Sequence, residues 1–499
     1  MLVIIIRTGY IEITILNIFR MVRLVKGGYM LTYSFADLGS DSLYEHLYKC
    51  IKNDIVNGIL QVGDKLPSKR NFAKNLDIST ITVENAYAQL IAEGYIYSIP
   101  KRGYFVSDIS RIEREENFAP AIIKGEAKLK KIEHNDSNYF ADFVSNRNLP
   151  KNFPFSIWAK LIRELMSEEG AALMELPPAG GIPELRNAIA EYMYQFRGMH
   201  VDPEQIIIGA GTEYIYGLII QLFGNKSVFA VEEPGYRKIA KIYKSHNVEY
   251  KNVELDSQGI NVKALEESGA NILHISPSHH FPTGIVTPIS RRYELLGWAS
   301  KSDDRYIIED DYDCEFRLQG NPIPSLKSID VMEKVIYINT FSKSISSTIR
   351  ISYMILPHHL LERFHANLGF YSCTVSNFEQ YTLARFMNRG YFEKHINRQR
   401  NYYRNQRNTL LEYIGNSPLA RRVTIMEEDA GLHFLMKIDT EMSDEELVQK
   451  AGEAGIRIAC LSQYFDRPSS EVEHVLVMNY SGIETEKIPE AVNRLCELI

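Results

Sequence analysis

The chain has 499 residues, 45% of them hydrophobic and 24% charged, with a formal net charge of −7. That length can carry two or three domains with a large core, and the composition excludes a disordered polymer or a membrane-embedded bundle. A weakly acidic total gives no global attraction for nucleic acid, so any such contact must come from a local basic patch. The five cysteines (Cys50, Cys314, Cys373, Cys460 and Cys496) are scattered, odd in number and without C-x-x-C spacing. They suit a reducing cytoplasm and speak against a structural metal site.

Residues 1–29 are apolar but interrupted by Arg7, Glu12 and Arg20. These charges break the continuous apolar core a signal peptide needs, and no run of about eighteen apolar residues is present to span a bilayer. The segment reads as an upstream extension, with Met30 of MLTYSF as the more natural start, or as a short membrane-peripheral stretch.

From Ser42 to Val106 the pattern predicts three helices and a hairpin. Ser42 and Glu45 form a capping box before Leu43, Leu47, Ile51 and Ile55 at helical spacing. After QVGDKLP, Ser68 caps a short helix carrying Phe72, Ala73 and Leu76. Ser79 then caps a third, with Val83, Ala86, Tyr87 and Leu90 on one face. Gly94 ends it, and YIYSI and YFV flank PKRG as a hairpin.

Two short helices joined by a tight turn are a helix-turn-helix, and the hairpin is its wing. Ser79, Thr80 and Thr82 begin the helix that would enter the major groove, while Lys69, Arg70, Lys74, Lys101 and Arg102 lie where phosphates would pass. The plainer alternative is a protein-binding trihelical module with a solvated basic face. The stretch from LPSKRNF to KRGYFV resembles the winged helix of GntR-type regulators. That resemblance implies DNA contacts from Arg70, the start of the third helix and the wing tip near Gly103. Thr80 stands where many relatives have arginine, which removes one contact of that pattern.

Residues 109–138 are charged, poor in large apolar residues and without periodicity, and read as a linker. Beyond them, short apolar runs ending in polar or glycine residues alternate with amphipathic stretches: QIIIGAG, SVFAVEEPGY, NILHISPSHH, RYIIEDDY and VIYINTFSK. They predict a mostly parallel sheet whose carboxyl ends converge on one crevice. Gly211 and Thr212 would open a helix there, a natural phosphate site. GAGTEY is not a dinucleotide fingerprint, because Tyr214 replaces its third glycine. Tyr236 offers an aromatic face, Asp310 a carboxylate, Tyr312 a phenol and Lys343 an amine. Thr340, Ser342 and Arg350 can complete a phosphate site.

Taken singly, each has a bland reading: a solvated loop lysine, a surface aspartate, a packing tyrosine. Together they are the groups pyridoxal 5′-phosphate requires, with Lys343 as the Schiff-base amine. The segments AGGIPELRNAIAEY, EEPGY, SPSHHFPTG, IEDDYDCEF, NTFSKSISSTIRISY and DAGLHF sit where fold-type I aminotransferases have their motifs. With the winged helix in front, the whole chain resembles the MocR/GabR family of pyridoxal-phosphate-dependent regulators. The resemblance implies Lys343 as the internal aldimine, Asp310 on the pyridine nitrogen, Tyr312 on the phenolate, Tyr236 stacked on the ring and His280 within the cofactor-binding set. It also implies a head-to-tail homodimer.

There are departures. Phe281 replaces the asparagine that aminotransferases place before Pro-Thr-Gly, and HVLVMNYSGI lacks their carboxylate-binding strand arginine. Arg457, Arg467 and Arg237 remain as effector-binding candidates, and Ser352 replaces a common glycine. The expected architecture is therefore an extension (1–29), an α+β winged helix-turn-helix (40–108), the linker and an α/β fold-type I aminotransferase-like domain (139–499). The expected function is a cytoplasmic regulator that binds promoter DNA and senses an amine, an amino acid or the cofactor itself by aldimine exchange at Lys343. The alternatives are an aminotransferase with an accessory winged helix and a catalytically dead dimerisation scaffold.

Overall fold

In the computed structural model the described residues are 2–7, 10–17, 20–25, 28–35, 41–108, 139–318, 324–429, 431–466, 468 and 472–499. The chain divides into two compact units, Met1–His134 and Asn135–Ile499. The expected linker, 109–138, lies outside the described residues.

The first unit opens with an antiparallel meander of β1 (Leu2–Arg7), β2 (Tyr10–Asn17), β3 (Arg20–Val25) and β4 (Gly28–Tyr33). Leu31 and Tyr33 of β4 are buried in the same core as the helices that follow, and the Tyr33 hydroxyl donates to Asp54 Oδ2 at 2.7 Å. Those helices are α1 (Leu43–Val56), α2 (Lys69–Leu76) and α3 (Thr80–Ala92). Leu47, Ile51 and Ile55 of α1 are buried, as the spacing predicts, whereas Leu43 stays exposed at the helix start. The caps are the expected ones: Ser68 Oγ accepts from the Asn71 N–H at 3.3 Å and Ser79 Oγ from the Thr82 N–H at 3.0 Å. Each satisfies a backbone donor that the first helical turn leaves free. Tyr87 sits at the centre, fully buried, against Phe72 and Tyr104. The wing is a three-stranded sheet of β5 (Lys65–Leu66), β7 (Gly103–Val106) and β6 (Ile96–Ile99), in that order.

The second unit is built on an eight-stranded sheet. After β8 (Ala141–Asp142) come β9 (Ile206–Gly209), β10 (Val228–Glu233), β11 (Glu249–Asp256), β12 (Gly259–Ile260), β13 (Ile272–Ile275), β14 (Tyr306–Asp310), β15 (Val335–Thr340) and β16 (Ser352–Ile355). The order across the sheet is β12-β11-β10-β13-β14-β15-β16-β9. Neighbours from β11 to β15 are parallel, and β16 runs antiparallel between β15 and β9. All five predicted strands are present. Their residues are buried on both faces, as continuous apolar runs with helices on either side require. A smaller lobe carries β17 (Val423–Met426), β18 (His433–Ile438) and β20 (Val475–Asn479), while β19 (Ile456–Arg457) pairs with β8. No helix among the described residues is long and apolar enough to cross a membrane.

A buried ion pair pins the loops beneath the sheet's carboxyl edge. Arg292, fully buried, donates to the carbonyls of Thr287, Pro277 and Pro324 at 3.0, 2.8 and 3.0 Å, and lies 3.5 Å from Glu309. Glu309 in turn accepts from the N–H groups of Leu326 and Lys327 at 2.8 and 2.9 Å. Arg292→Met should lower the stability of this unit by about 3–5 kcal/mol, because it strands a buried carboxylate and three carbonyls. Urea titration followed by tryptophan fluorescence reads this unit alone, since both tryptophans, Trp158 and Trp298, belong to it.

Candidate functional site

The parallel strands end at a cavity of about 450 Å³. Five loops deliver its polar lining: Thr212 after β9, Tyr236 after β10, Ser276 after β13, Asp310 and Tyr312 from β14, and Thr340, Ser342 and Lys343 from β15. Arg350, just before β16, lines it too. Residues distant in sequence thus meet because each lies at an end of a strand of the same sheet.

Asp310 is 5% exposed. Its Oδ2 accepts from the Tyr216 hydroxyl and lies 3.5 Å from His274 Nε2, and His274 Nδ1 is 2.7 Å from the Tyr243 hydroxyl. Its Oδ1 is buried with no hydrogen-bond partner. A buried carboxylate oxygen without a donor is costly, and a protonated ring nitrogen would supply that donor. The two neighbouring aspartates are already committed. Asp311 pairs with Arg197 and accepts from the Tyr337 hydroxyl, and Asp313 Oδ2 lies 2.9 Å from His279 Nδ1.

Lys343 is partly buried, and its Nζ donates to the Asn146 carbonyl at 3.2 Å. Burial pushes its amine down to about 8, opposed by the negative charge of Asp313. The Asn148 side chain donates to the Lys343 carbonyl at 2.9 Å. Thr340 Oγ1 accepts from the Ser342 N–H at 3.1 Å and from Ser352 Oγ at 2.8 Å. The serine that replaces a common glycine therefore braces the turn that carries Lys343.

The phosphate-type end is formed by Gly211, Thr212 and Arg350. Gly211 has φ +91, and a Cβ there would lie 2.7 Å from Arg350 Cζ, so only glycine admits the guanidinium this close. Thr212 and Glu213 begin a helix (Thr212–Phe223) with no side-chain cap, leaving first-turn N–H groups free for an anion. Arg350 itself has φ +53, a left-handed conformation costing about 1–3 kcal/mol in a non-glycine residue. Tyr236 stands half-exposed on the opposite wall, with Phe281 edge-on at 6.1 Å. Phe281 also packs on Tyr464 and His433. His280 is buried outside the lining, its Nδ1 2.7 Å from Thr283 Oγ1 and its Nε2 3.6 Å from Glu232. Burial holds Glu232 up at about 8 and His280 down at about 3. Of the effector candidates, Arg237 lines the cavity but donates to the Phe465 carbonyl at 2.7 Å. Arg457 pairs with Asp142 at 3.3 Å away from the lining, and Arg467 lies outside the described residues.

The sequence reading missed Tyr216, His274 and the segment Val144–Arg147, all on the cavity wall. Only His274 left a signal, an imidazole inside an apolar strand. In the other unit, Arg70, Thr80, Lys101 and Arg102 are exposed, Ser79 and Thr82 begin α3, and Gly103 takes φ +109 at the wing. Lys69 pairs with Glu84 at 2.6 Å. Ile81, which the sequence reading also passed over, is 68% exposed between Thr80 and Thr82.

The family model for aminotransferase class I and II matches residues 142–495, and that for bacterial regulatory proteins of the gntR family matches 43–106. The HTH-type transcriptional regulator YdeL of Bacillus subtilis is 37% identical over 91% of this chain and 96% of its own length. The chain is a GntR-family regulator of the MocR type. The probable rhizopine catabolism regulatory protein MocR of Rhizobium meliloti is 28% identical to this MocR-type chain over 91% of it and 93% of that protein. The kynurenine aminotransferase of Pyrococcus horikoshii shares the fold of the second unit (TM-score 0.64, 24% identity, 73% of this chain and 91% of that one).

The lowered Lys343 amine has a kinetic consequence. Only the neutral amine attacks an aldehyde. Borohydride-trapped attachment of pyridoxal phosphate to the MocR-type chain should therefore rise about tenfold per pH unit below about 8 and level off above it. An ordinary lysine would continue to gain up to about 10.4. Lys343→Ala should abolish the fast, levelling phase; a rise that continues past pH 9 contradicts this assignment.

Proposed function

We propose that this regulator holds pyridoxal 5′-phosphate in the large unit and uses it to sense a small amine or amino acid, or the cofactor's own abundance. The observation that carries the reading is Lys343. Its amine is partly buried at a strand end, held by a single backbone carbonyl, and shares a cavity with an orphaned carboxylate oxygen of Asp310. When bound, the cofactor supplies an aldehyde for which Lys343 and a free amine compete. Asp310 would hold a proton on the ring nitrogen, and Tyr216 and His274 hold Asp310 in place. Tyr312 would donate to the ring oxygen and Tyr236 would cover the ring face, while Gly211, Thr212, Ser342 and Arg350 would take the phosphate.

Attachment to the cofactor would take the Lys343 amine off the Asn146 carbonyl and its release would return it, so an effector would change how residues 142–148 are held. Arg70, Lys101 and Arg102 would meet phosphates, and Thr80, Ile81 and Thr82 base edges, on promoter DNA in the cytoplasm. A second copy would complete a head-to-tail homodimer. Phe155, Met174, Leu176 and Phe370, 64%, 75%, 81% and 76% exposed, offer apolar surface for it to cover. The aromatic Phe281 in place of an amide, and a β20 of VLVMN without arginine, weigh against a working aminotransferase.

Binding of the full chain to a promoter fragment selected from random DNA should change about tenfold on adding the right amine, the size of an ordinary coupling energy. Lys343→Ala should bind DNA but ignore the amine. Arg70→Ala should weaken all sequences alike and lower the salt slope by about 0.9. DNA binding and bending that ignore every amine and the cofactor, together with rapid turnover of amino donors, would favour the aminotransferase reading.

A further inference from the structure

The wall of the cavity opposite the strand ends is a strap from the beginning of the second unit. Val144, Ser145, Asn146 and Arg147 all line the cavity. The strap is a built turn. Asp142 accepts from the N–H groups of Val144 and Ser145 at 2.8 and 2.9 Å and from Ser145 Oγ at 2.5 Å. Ser481 Oγ donates to Asn146 Oδ1 at 3.0 Å. The next residue, Gly482, admits the strap backbone: a Cβ there would lie 3.0 Å from the Ser145 carbonyl oxygen and 3.8 Å from Arg147 Cβ. Asn148 anchors the far end on the Lys343 carbonyl.

The cations lining the cavity differ in how they are engaged. Lys238 is bonded to Glu213, and Arg350 reaches Glu213 at 3.5 Å and the Ala210 carbonyl at 3.3 Å. Arg237 is on the Phe465 carbonyl and Lys343 on that of Asn146. The Arg147 guanidinium alone has no hydrogen-bond or ion-pair partner among the described residues. It sits one residue from the carbonyl that holds the Lys343 amine.

We infer that Arg147 is the carboxylate receptor for an amino-acid effector. The inference rests on the proposed exchange at Lys343. The effector's amine would take the place of Lys343 Nζ while its carboxylate lies on the Arg147 fork, which binds planar carboxylates bidentately. Cofactor and effector would share the cavity of about 450 Å³, which favours a small amino acid. The same strap would thus report both events, regaining the freed lysine amine at Asn146 and gaining a carboxylate at Arg147.

The test uses the full cofactor-loaded chain, glycine through 6-aminohexanoate, and the matching monoamines from methylamine to pentylamine. Absorbance titration of the wild type should give half-saturation for the best acid about tenfold or more below its monoamine, the usual reach of one charge-assisted pair. Arg147→Gln should erase that gap by weakening the acid alone, and Arg147→Lys should restore part of it. A gap that survives in Arg147→Gln, or an equal loss for acid and monoamine, overturns the assignment. Calorimetric titration of the same acids separates the two layers. Arg147-dependent binding without any spectral change keeps the strap site and sinks the exchange at Lys343. No binding of any acid sinks both.

Discussion

A carboxylate buried at the end of a parallel strand is the constraint around which the large unit is arranged. Asp310 can stay in place only because Tyr216 and His274 approach one of its oxygens, and the other oxygen is left facing the cavity without a donor. Leaving such an oxygen unpaired costs stability, and a ligand with one well-placed proton recovers it. The strands on either side bring the remaining groups because a parallel sheet aligns its carboxyl ends. The ion pair of Arg292 and Glu309 ties the loop after β13 to the one before β15.

The strap gives the site its second property. Lys343 is gripped at its carbonyl by Asn148 and at its amine by Asn146, so the backbone that follows β8 is in contact with the side chain proposed to carry the cofactor. A ligand can shift a conformational equilibrium only through a difference in affinity between the two states. A lysine that is either on the strap or off it provides such a difference at the level of individual hydrogen bonds. The proposed regulation by a small molecule would need no larger device than this, since a factor of ten in occupancy corresponds to about 1.4 kcal/mol.

The first unit obeys a different logic. Its core is small and centred on Tyr87, and among the described large apolar side chains it leaves outside, Ile81 and Val62 are the most exposed. The basic residues there are few, consistent with a chain whose net charge is −7. In the proposed reading, affinity for DNA would come from a short phosphate track and sequence choice from the three residues that open α3.

The winged helix was legible in the sequence because its signals are local. Caps at Ser68 and Ser79, the apolar spacing of α1 and α3, and the glycine at the wing act within a few residues of themselves. The five parallel strands were legible for the same reason, as was the set of Thr212, Tyr236, Asp310, Tyr312, Thr340, Ser342, Lys343 and Arg350, each at a strand end. The commitment of the two neighbouring aspartates needed the fold, because only tertiary packing sets Arg197 against Asp311 and His279 against Asp313. The burial of His280 away from the cavity, and the placement of Tyr216 and His274 behind Asp310, were likewise outside the reach of periodicity. So was the strap: Asn146 and Lys343 lie 197 residues apart and meet only when the sheet has closed. Local hydrogen bonding and hydrophobic period determined which elements exist. Which side chains share a charge, a proton or a ligand was decided by contacts that no local rule encodes.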